Sequence, residues 1–356
     1  MKKKLTISLI IGFVSLITGL ILAGIGFFSG GVAQLEDISQ PELIEKTYNK
    51  ISEIQITGLS KEFYIQESPD QKVHVRYYKQ TNYLGPVLEV SEKDGILRLE
   101  QASEDPLQVK GILQLGGEIL ASRDLATYRV EIELPKGSKL NKLSGTQYGA
   151  LLSLTDVAIA ELDFIGNIAA ENTSIEKASV QAPYLYLNKS VLKNATVHSE
   201  AGHVVMKDSS LEATKIDYYQ NLEAQNLTII GQVTFLSESN LVATNVDLSE
   251  QTLANTGLDA TTSIDPKAFV EAMGYYGYSG QGGEELNLQQ IFKEEPYLEE
   301  AFQNIGIFTS EKYAHLTVTK QEDQEKVTVE KKDSKNKLTI QAINGTINFR
   351  EKVFNP

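Results

Sequence analysis

Cysteine and tryptophan are both missing from the chain. Without a thiol there can be no cysteine nucleophile, no Cys-containing zinc site and no iron–sulfur cluster. A lipid anchor on a cysteine is excluded as well. A secreted eukaryotic protein of this length usually carries disulfides, whereas exported proteins of Gram-positive bacteria often lack them. The absence of tryptophan removes the strongest aromatic platform for sugars, a role that the 16 tyrosines can fill in part. No arginine lies between Arg129 and Arg350, and lysines are sparse from Leu151 to Val246. A lyase acting on an acidic sugar needs a strong cation in its groove, so that activity is disfavoured. His-Glu-x-x-His, Gly-x-Ser-x-Gly and the phosphate-binding Gly-x-x-x-x-Gly-Lys-Ser/Thr are absent. Positive charge is scarce overall, and the formal net charge is −14. Such a surface repels nucleic acid and attracts cationic partners in a salt-dependent way.

What is present begins with a membrane signal. Lys2, Lys3 and Lys4 precede 24 apolar, uncharged residues from Leu5 to Phe28. About 20 such residues span a hydrocarbon core. A cleaved signal peptide has an apolar region of only about 7–15 residues, so cleavage near Gly31–Ala33 is the lesser reading. The leading lysines place the N-terminus in the cytoplasm and the bulk of the chain outside. Residues 1–30 therefore read as cytoplasmic tip and single-pass anchor, with the membrane as partner. Residues 31–50 read as a stalk, in which "SQPELIEK" predicts a short helix capped by Ser39.

Period-two alternation follows. In "YRVEIELP", Val130, Ile132 and Leu134 face one way and Arg129, Glu131 and Glu133 the other. Residues 51–139 are expected to form a small sheet of half-buried antiparallel strands. From 140 to 264 short apolar pieces recur, each ending on Asn or Asp: Asp156, Asn172, Asn188, Asp208, Asn226 and Asn245, spaced 16, 16, 20, 18 and 19 apart. The apolar pairs before them are Leu152/Leu154, Ile168/Ala170, Tyr184/Tyr186, Val204/Met206, Leu222/Ala224 and Leu241/Ala243. Such a repeat predicts a degenerate parallel β-solenoid, because one turn cannot bury its apolar face alone. The Asn/Asp positions form a structural ladder at a corner, where short polar side chains bond to nearby backbone and tolerate left-handed conformations. Five Asn-x-Ser/Thr triplets, at Asn172, Asn188, Asn194, Asn226 and Asn344, are then explained by turn chemistry rather than glycosylation.

Residues 265–310 break the repeat. "IDPKAFVEAM" and "LNLQQIFKEEPYLEEAFQNIG" have helical spacing, with Leu286, Leu288, Ile291, Leu298 and Phe302 on one stripe and Pro296 interrupting it. Between them "GYYGYSGQGGEE" offers Tyr275, Tyr276 and Tyr278 as a contact surface. Residues 311–356 return to strands. The fold class is thus mainly β: a solenoid with an N-terminal sheet region, a helical insertion and a transmembrane helix.

"LEVSEKDGILRLEQ", "YRVEIELPKGSKLNKLSGTQYG" and "KLTIQAINGTINF" carry a resemblance. Across roughly Ile51 to Phe349 the chain resembles the bacterial putative-adhesin family of β-strand-repeat proteins, a numbered domain-of-unknown-function family. It departs from that pattern in having fewer turn glycines and a helical insertion. The resemblance implies a cell-envelope protein, in some members linked to envelope-stress responses, and it supplies no catalytic residue and no cofactor.

The expected function is a non-enzymatic, membrane-anchored extracellular protein of adhesion or of cationic-peptide and envelope-stress sensing. Its expected partners are cationic peptides or other envelope proteins. The alternative is a solenoid that binds or degrades polysaccharide, with Glu171, Glu176, Asp208, Glu212 and Asp217 as candidate carboxylates. Tyr184, Tyr186, Tyr218 and Tyr219 would be its stacking rings. His198 and His203 read as exposed turn histidines in preference to a metal pair.

Overall fold

A computed structural model of the chain describes residues 2–31, 42–79, 88–101, 128–274 and 288–351. Helix Lys2–Gly26 runs into a π-type turn at Phe27–Gly31. The segment Thr6–Gly30 is long and apolar enough to cross a membrane, and none of it is buried in the protein. Its large side chains, such as Leu16, Leu20 and Phe28, are exposed. An apolar face left without a partner in the chain matches a helix whose solvent is lipid.

The rest is built from short strands. The first seven are β1 (Glu42–Tyr48), β2 (Glu53–Leu59), β3 (Glu62–Glu67), β4 (Val73–Lys79), β5 (Leu88–Lys93), β6 (Ile96–Gln101) and β7 (Arg129–Leu134). Two long strands that bend through corners follow, β8 (Lys139–Thr155) and β9 (Ala158–Glu171). Then come β10 (Ser174–Ile175), β11 (Ala178–Gln181), β12 (Tyr184–Asn188), β13 (Val191–Lys193), β14 (Ala195–His198), β15 (His203–Lys207), β16 (Ser210–Glu212) and β17 (Lys215–Asp217). β18 (Asn221–Ile230), β19 (Gln232–Asn240) and β20 (Ala243–Leu248) complete the middle. The closing strands are β21 (Gly257–Ser263), β22 (Gly306–Thr309), β23 (Thr319–Lys320), β24 (Gln324–Val329), β25 (Lys337–Ile343) and β26 (Thr346–Phe349).

The middle strands wind as a three-sided parallel solenoid. A front face pairs β8, β9, β12, β15, β18 and β20 in parallel. A narrow side of two or three residues per strand pairs β9, β10, β13, β16 and β18. A back face pairs β8, β9, β11, β14, β17 and β19. Equal register stacks like on like. Leu152, Ile168, Leu185, Val204 and Leu222 form one buried column. Ile159, Ile175, Leu192, Leu211 and Ile229 form a second. Phe164, Val180, Val197, Ile216 and Phe235 form a third. Each side chain so buried contributes about 1.5–3 kcal/mol, and only the stack of neighbours makes the burial complete.

At both ends, spatial order departs from chain order. β2 lies between β6 and β8, and β3 between β7 and β8, all parallel. Gly145 makes the first insertion possible, since a Cβ there would fall 1.9 Å from the Ile56 carbonyl oxygen. At the far end β25 lies between β19 and β21, and β26 between β20 and β22. Antiparallel strands then close the stack: β1–β4–β7 and β5–β6 at one end, β21–β24–β23 at the other. Helix Glu250–Asn255, capped by Ser249, sits where the next narrow strand would be, with Thr252 Oγ1 taking the Ile229 N–H.

Two expectations change. The short helix in the stalk is strand β1, because pairing with β4 buries part of Ile44 and Tyr48 and overrides the cap signal. Residues 51–139 are not a separate antiparallel sheet: β2 and β3 pair in parallel with β8 and share its core. The insertion at 265–310 is helical as expected: its described residues form helices Pro266–Ala272, Leu288–Glu294 and Pro296–Gln303. Pro296 opens the third of these, where no N–H is needed. They enclose a small core of Phe269, Val270, Ile291, Leu298 and Ile305.

Candidate binding surface

The corner between front face and narrow side is a column of left-handed residues: Asp156, Asn172, Lys189, Asp208 and Asn226, with φ of 55°, 48°, 48°, 47° and 52°. A left-handed residue costs about 1–2 kcal/mol unless its side chain suits it, which favours Asn and Asp. The amide of Asn172 donates to the Asp156 carboxylate, and that of Asn226 to Asp208 Oδ1 at 2.8 Å. Backbone bonds run from coil to coil at the same place, as from the Asn172 N–H to the Asn188 carbonyl at 2.9 Å.

Two proposed ladder positions fall elsewhere. The corner after β12 is Lys189, so Asn188 stands one residue early, donating to Glu171 Oε1 at 3.1 Å. Asn245 lies within β20, buried, and accepts from the Asn348 amide at 2.9 Å. A one-residue slip exchanges the two faces of a strand. Leu185 and Leu187 therefore point into the core, and Tyr184 and Tyr186 point outward. Likewise Val242 and Thr244 are buried, while Leu241 packs against the helical insertion.

The candidate carboxylates are engaged singly, mostly between coils, rather than grouped. Glu176 pairs with Lys139, Glu212 with Lys193, and Asp217 with Lys215 at 2.7 Å and with His198 Nδ1 at 2.9 Å. Glu161 holds both Lys142 and Lys177. Hydrogen bonds from Lys142 and Lys139 keep Glu161 and Glu176 below the ordinary carboxylate pKa. His198 is on the back face and His203 on the front, and among the described residues no group of three or more His, Asp or Glu could hold a metal.

The tyrosines divide. Tyr219 is wholly buried, its hydroxyl 3.0 Å from Thr244 Oγ1, and burial pushes its pKa up. Tyr218 is exposed at a left-handed corner, its ring tilted against that of His198 with centroids 4.6 Å apart, and bonded to Glu238 at 2.6 Å. Tyr184 and Tyr186 share the front face with Tyr64, whose ring carries the Arg129 guanidinium at 4.4 Å and whose hydroxyl donates to Glu62. Tyr275, Tyr276 and Tyr278 lie outside the described residues. Two open clefts lie near the C-terminal end. One, of about 390 Å³, is under the β24–β25 turn, and one, of about 570 Å³, is beside helix Glu250–Asn255. Both mix acids with lysines and neither gathers a catalytic set.

A three-sided parallel solenoid with interleaved ends and a tyrosine patch on one face defines the class: a β-repeat scaffold. Residues 51–264, more than half of the chain, match the Toastrack DUF4097 family, and the chain belongs to that family. Among solved structures, a putative cell adhesion protein from Clostridium sporogenes ATCC 15579 aligns at 10% identity and TM-score 0.27, covering 88% of this chain and 100% of its own. A putative adhesin from Bacteroides fragilis NCTC 9343 aligns at 17% identity and TM-score 0.30, covering 56% and 94%. No curated protein matches the sequence.

Proposed function

We propose that this chain is a membrane-anchored, non-enzymatic surface module that holds a rigid solenoid outside the cell and acts in adhesion. One observation carries the reading: an apolar helix with no buried residue precedes a solenoid in which Glu161, Glu176 and Glu212 are taken up in coil-to-coil pairs. Groups fixed in that way stiffen a scaffold and are not free for acid–base chemistry. The net charge of −14 supports a second reading, sensing of cationic peptides in envelope stress.

The test is a full chain with a C-terminal tag, expressed in a bacterial host. The tag should sediment with membranes and be cleaved when intact cells meet protease. A tag that is soluble, or protected until lysis, overturns the anchored reading. Release of reducing or unsaturated sugar from any polysaccharide overturns the non-enzymatic one. Binding of decalysine that is strong at low salt and lost at high salt would favour sensing over adhesion.

A further inference from the structure

The front and back faces have the same backbone and different outer surfaces. On the back face the outward rows are charged, with Lys142, Glu161 and Lys177 joined in one cluster and Lys215, Asp217 and His198 in another. On the front face three adjacent segments, residues 151–155, 167–171 and 184–188, carry one formal charge between them, that of Glu171. In a chain of net charge −14, such an opening needs a cause.

Register defines its shape. Tyr64, Ser153, Ala169 and Tyr186 lie on one outward row, in consecutive strands β3, β8, β9 and β12. The two tyrosines therefore stand three strand spacings apart, about 14 Å. Between them the floor is a hydroxymethyl and a methyl group, too short to fill the gap. Tyr184, 39% exposed, widens one wall. One wall is held, Tyr64 by Arg129 and Glu62; the other, Tyr186, is half-buried on the face. Asn188 and Glu171 form a polar rim.

The chemistry narrows the occupant. The floor itself carries no lysine or arginine, and the two cations that flank it, Arg129 on the outer side of Tyr64 and Lys207 beside Asn188, stand at opposite ends and do not converge on an anion. An extended peptide cannot add to them, because β8, β9 and β12 are each paired on both sides. A hydrophobic partner meets too few apolar groups. Flat aromatic rings, a shallow floor and a rim of amide and carboxylate suit a sugar, whose C–H faces stack on tyrosine while its hydroxyls bond to the rim. We propose that this trough binds an uncharged oligosaccharide, making the adhesion reading above a matter of glycan recognition.

The inference rests on that reading for its role but is tested apart from it, on purified, detergent-solubilised full chain. Chitotetraose, cellotetraose and maltotetraose are titrated, with heparin and decalysine as charged controls. The expected result is a dissociation constant for at least one neutral tetrasaccharide that does not change between 50 mM and about 500 mM salt, where charged ligands would weaken. Tyr64→Ala and Tyr186→Ala should each weaken it about tenfold. Tyr186→Phe should retain it, and Lys142→Ala on the back face should leave it unchanged. Circular dichroism confirms that the variants fold, which outward side chains permit. No neutral binding, binding indifferent to the tyrosines, or preference for heparin or decalysine overturns the proposal. Membrane display in the protease assay stands or falls independently.

Discussion

The middle of the solenoid and its two ends solve the same problem by different routes. In the middle, each coil pairs with the coil next to it in sequence, so contacts are local and the buried columns build up one coil at a time. At the ends, a coil is wedged in from elsewhere: β2 and β3 at one end, β25 and β26 at the other. The second wedge brings together groups 105 residues apart, as in the Asn336 side chain that accepts from the Gly231 N–H at 2.9 Å. Simple repeat arrays gain or lose a unit at a terminus with little consequence. Here the interleaving ties each end to a distant part of the chain, and the stack has a fixed length. Edges are also treated differently from coils. At the far end the buried Glu325 takes the Ile307 N–H of edge strand β22 at 2.8 Å, itself neutralised by Lys320 at 2.6 Å. At the near end Lys46 Nζ reaches from β1 to the Val90 carbonyl of β5 at 2.8 Å. Charged side chains that occupy an edge group discourage further strand addition.

If the ends close the stack, damage there should reach the middle. Removing residues 332–356 deletes the wedge and bares both β19 and β20; loss of the monomer in size-exclusion chromatography and of a cooperative unfolding transition is the largest effect expected. Phe235→Ala in the middle should cost about 3–5 kcal/mol in chemical denaturation, and Ile340→Ala, its neighbour in the wedge, about 2–5 kcal/mol. Both should shift one common transition; two separate transitions for Ile340→Ala would show that the wedge folds independently of the coils. The corners are a smaller lever. Asn172→Ala should cost about 1–2 kcal/mol, whereas Lys189→Gly and Ala213→Gly, which relieve left-handed residues, should stabilise by about 0.5–1 kcal/mol. The smallest effect is electrostatic. Glu161 has a lowered folded-state pKa, so its contribution is present above its unfolded value and is lost as pH falls through the folded one. Glu161→Gln should flatten the acid side of a stability profile measured from pH 6 to pH 3 and, because the same bond raises the Lys142 pKa, should also remove stability that the native chain loses only at strongly alkaline pH.

This contrast also explains what the sequence made legible. A pattern that repeats between neighbours, such as Leu152/Leu154 and Ile168/Ala170, can be read from one strand to the next, and the solenoid follows from it. "YLYLN" is apolar at four successive positions, so alternation alone cannot tell which side faces the core, and only the corner at Lys189 decides for Leu185 and Leu187. Residues 337–349 look like late repeats, and nothing local says that they insert between β19/β20 and β21/β22. β1 was hidden by a helix-like start signal, because its partner β4 lies some thirty residues away. The tyrosine trough escaped notice for a related reason. Tyr64 and Tyr186 become neighbours across the floor only once β3 is known to pair with β8.

β1 has one further consequence. It is the first described strand after the apolar helix, and it is zipped to β4 over seven residues, from Glu42 opposite Lys79 to Tyr48 opposite Val73. If the helix is fixed in a membrane and the front face holds a target, as proposed above, tension enters the solenoid at this strand. Arg76 of β4, bound to Glu45 on one side and to Glu131 and Glu133 on the other, rivets β1 and β4 to β7. The mechanical strength of the whole attachment is then set by this joint, and Arg76→Ala should lower the force at which the first strand tears away in a single-molecule pull.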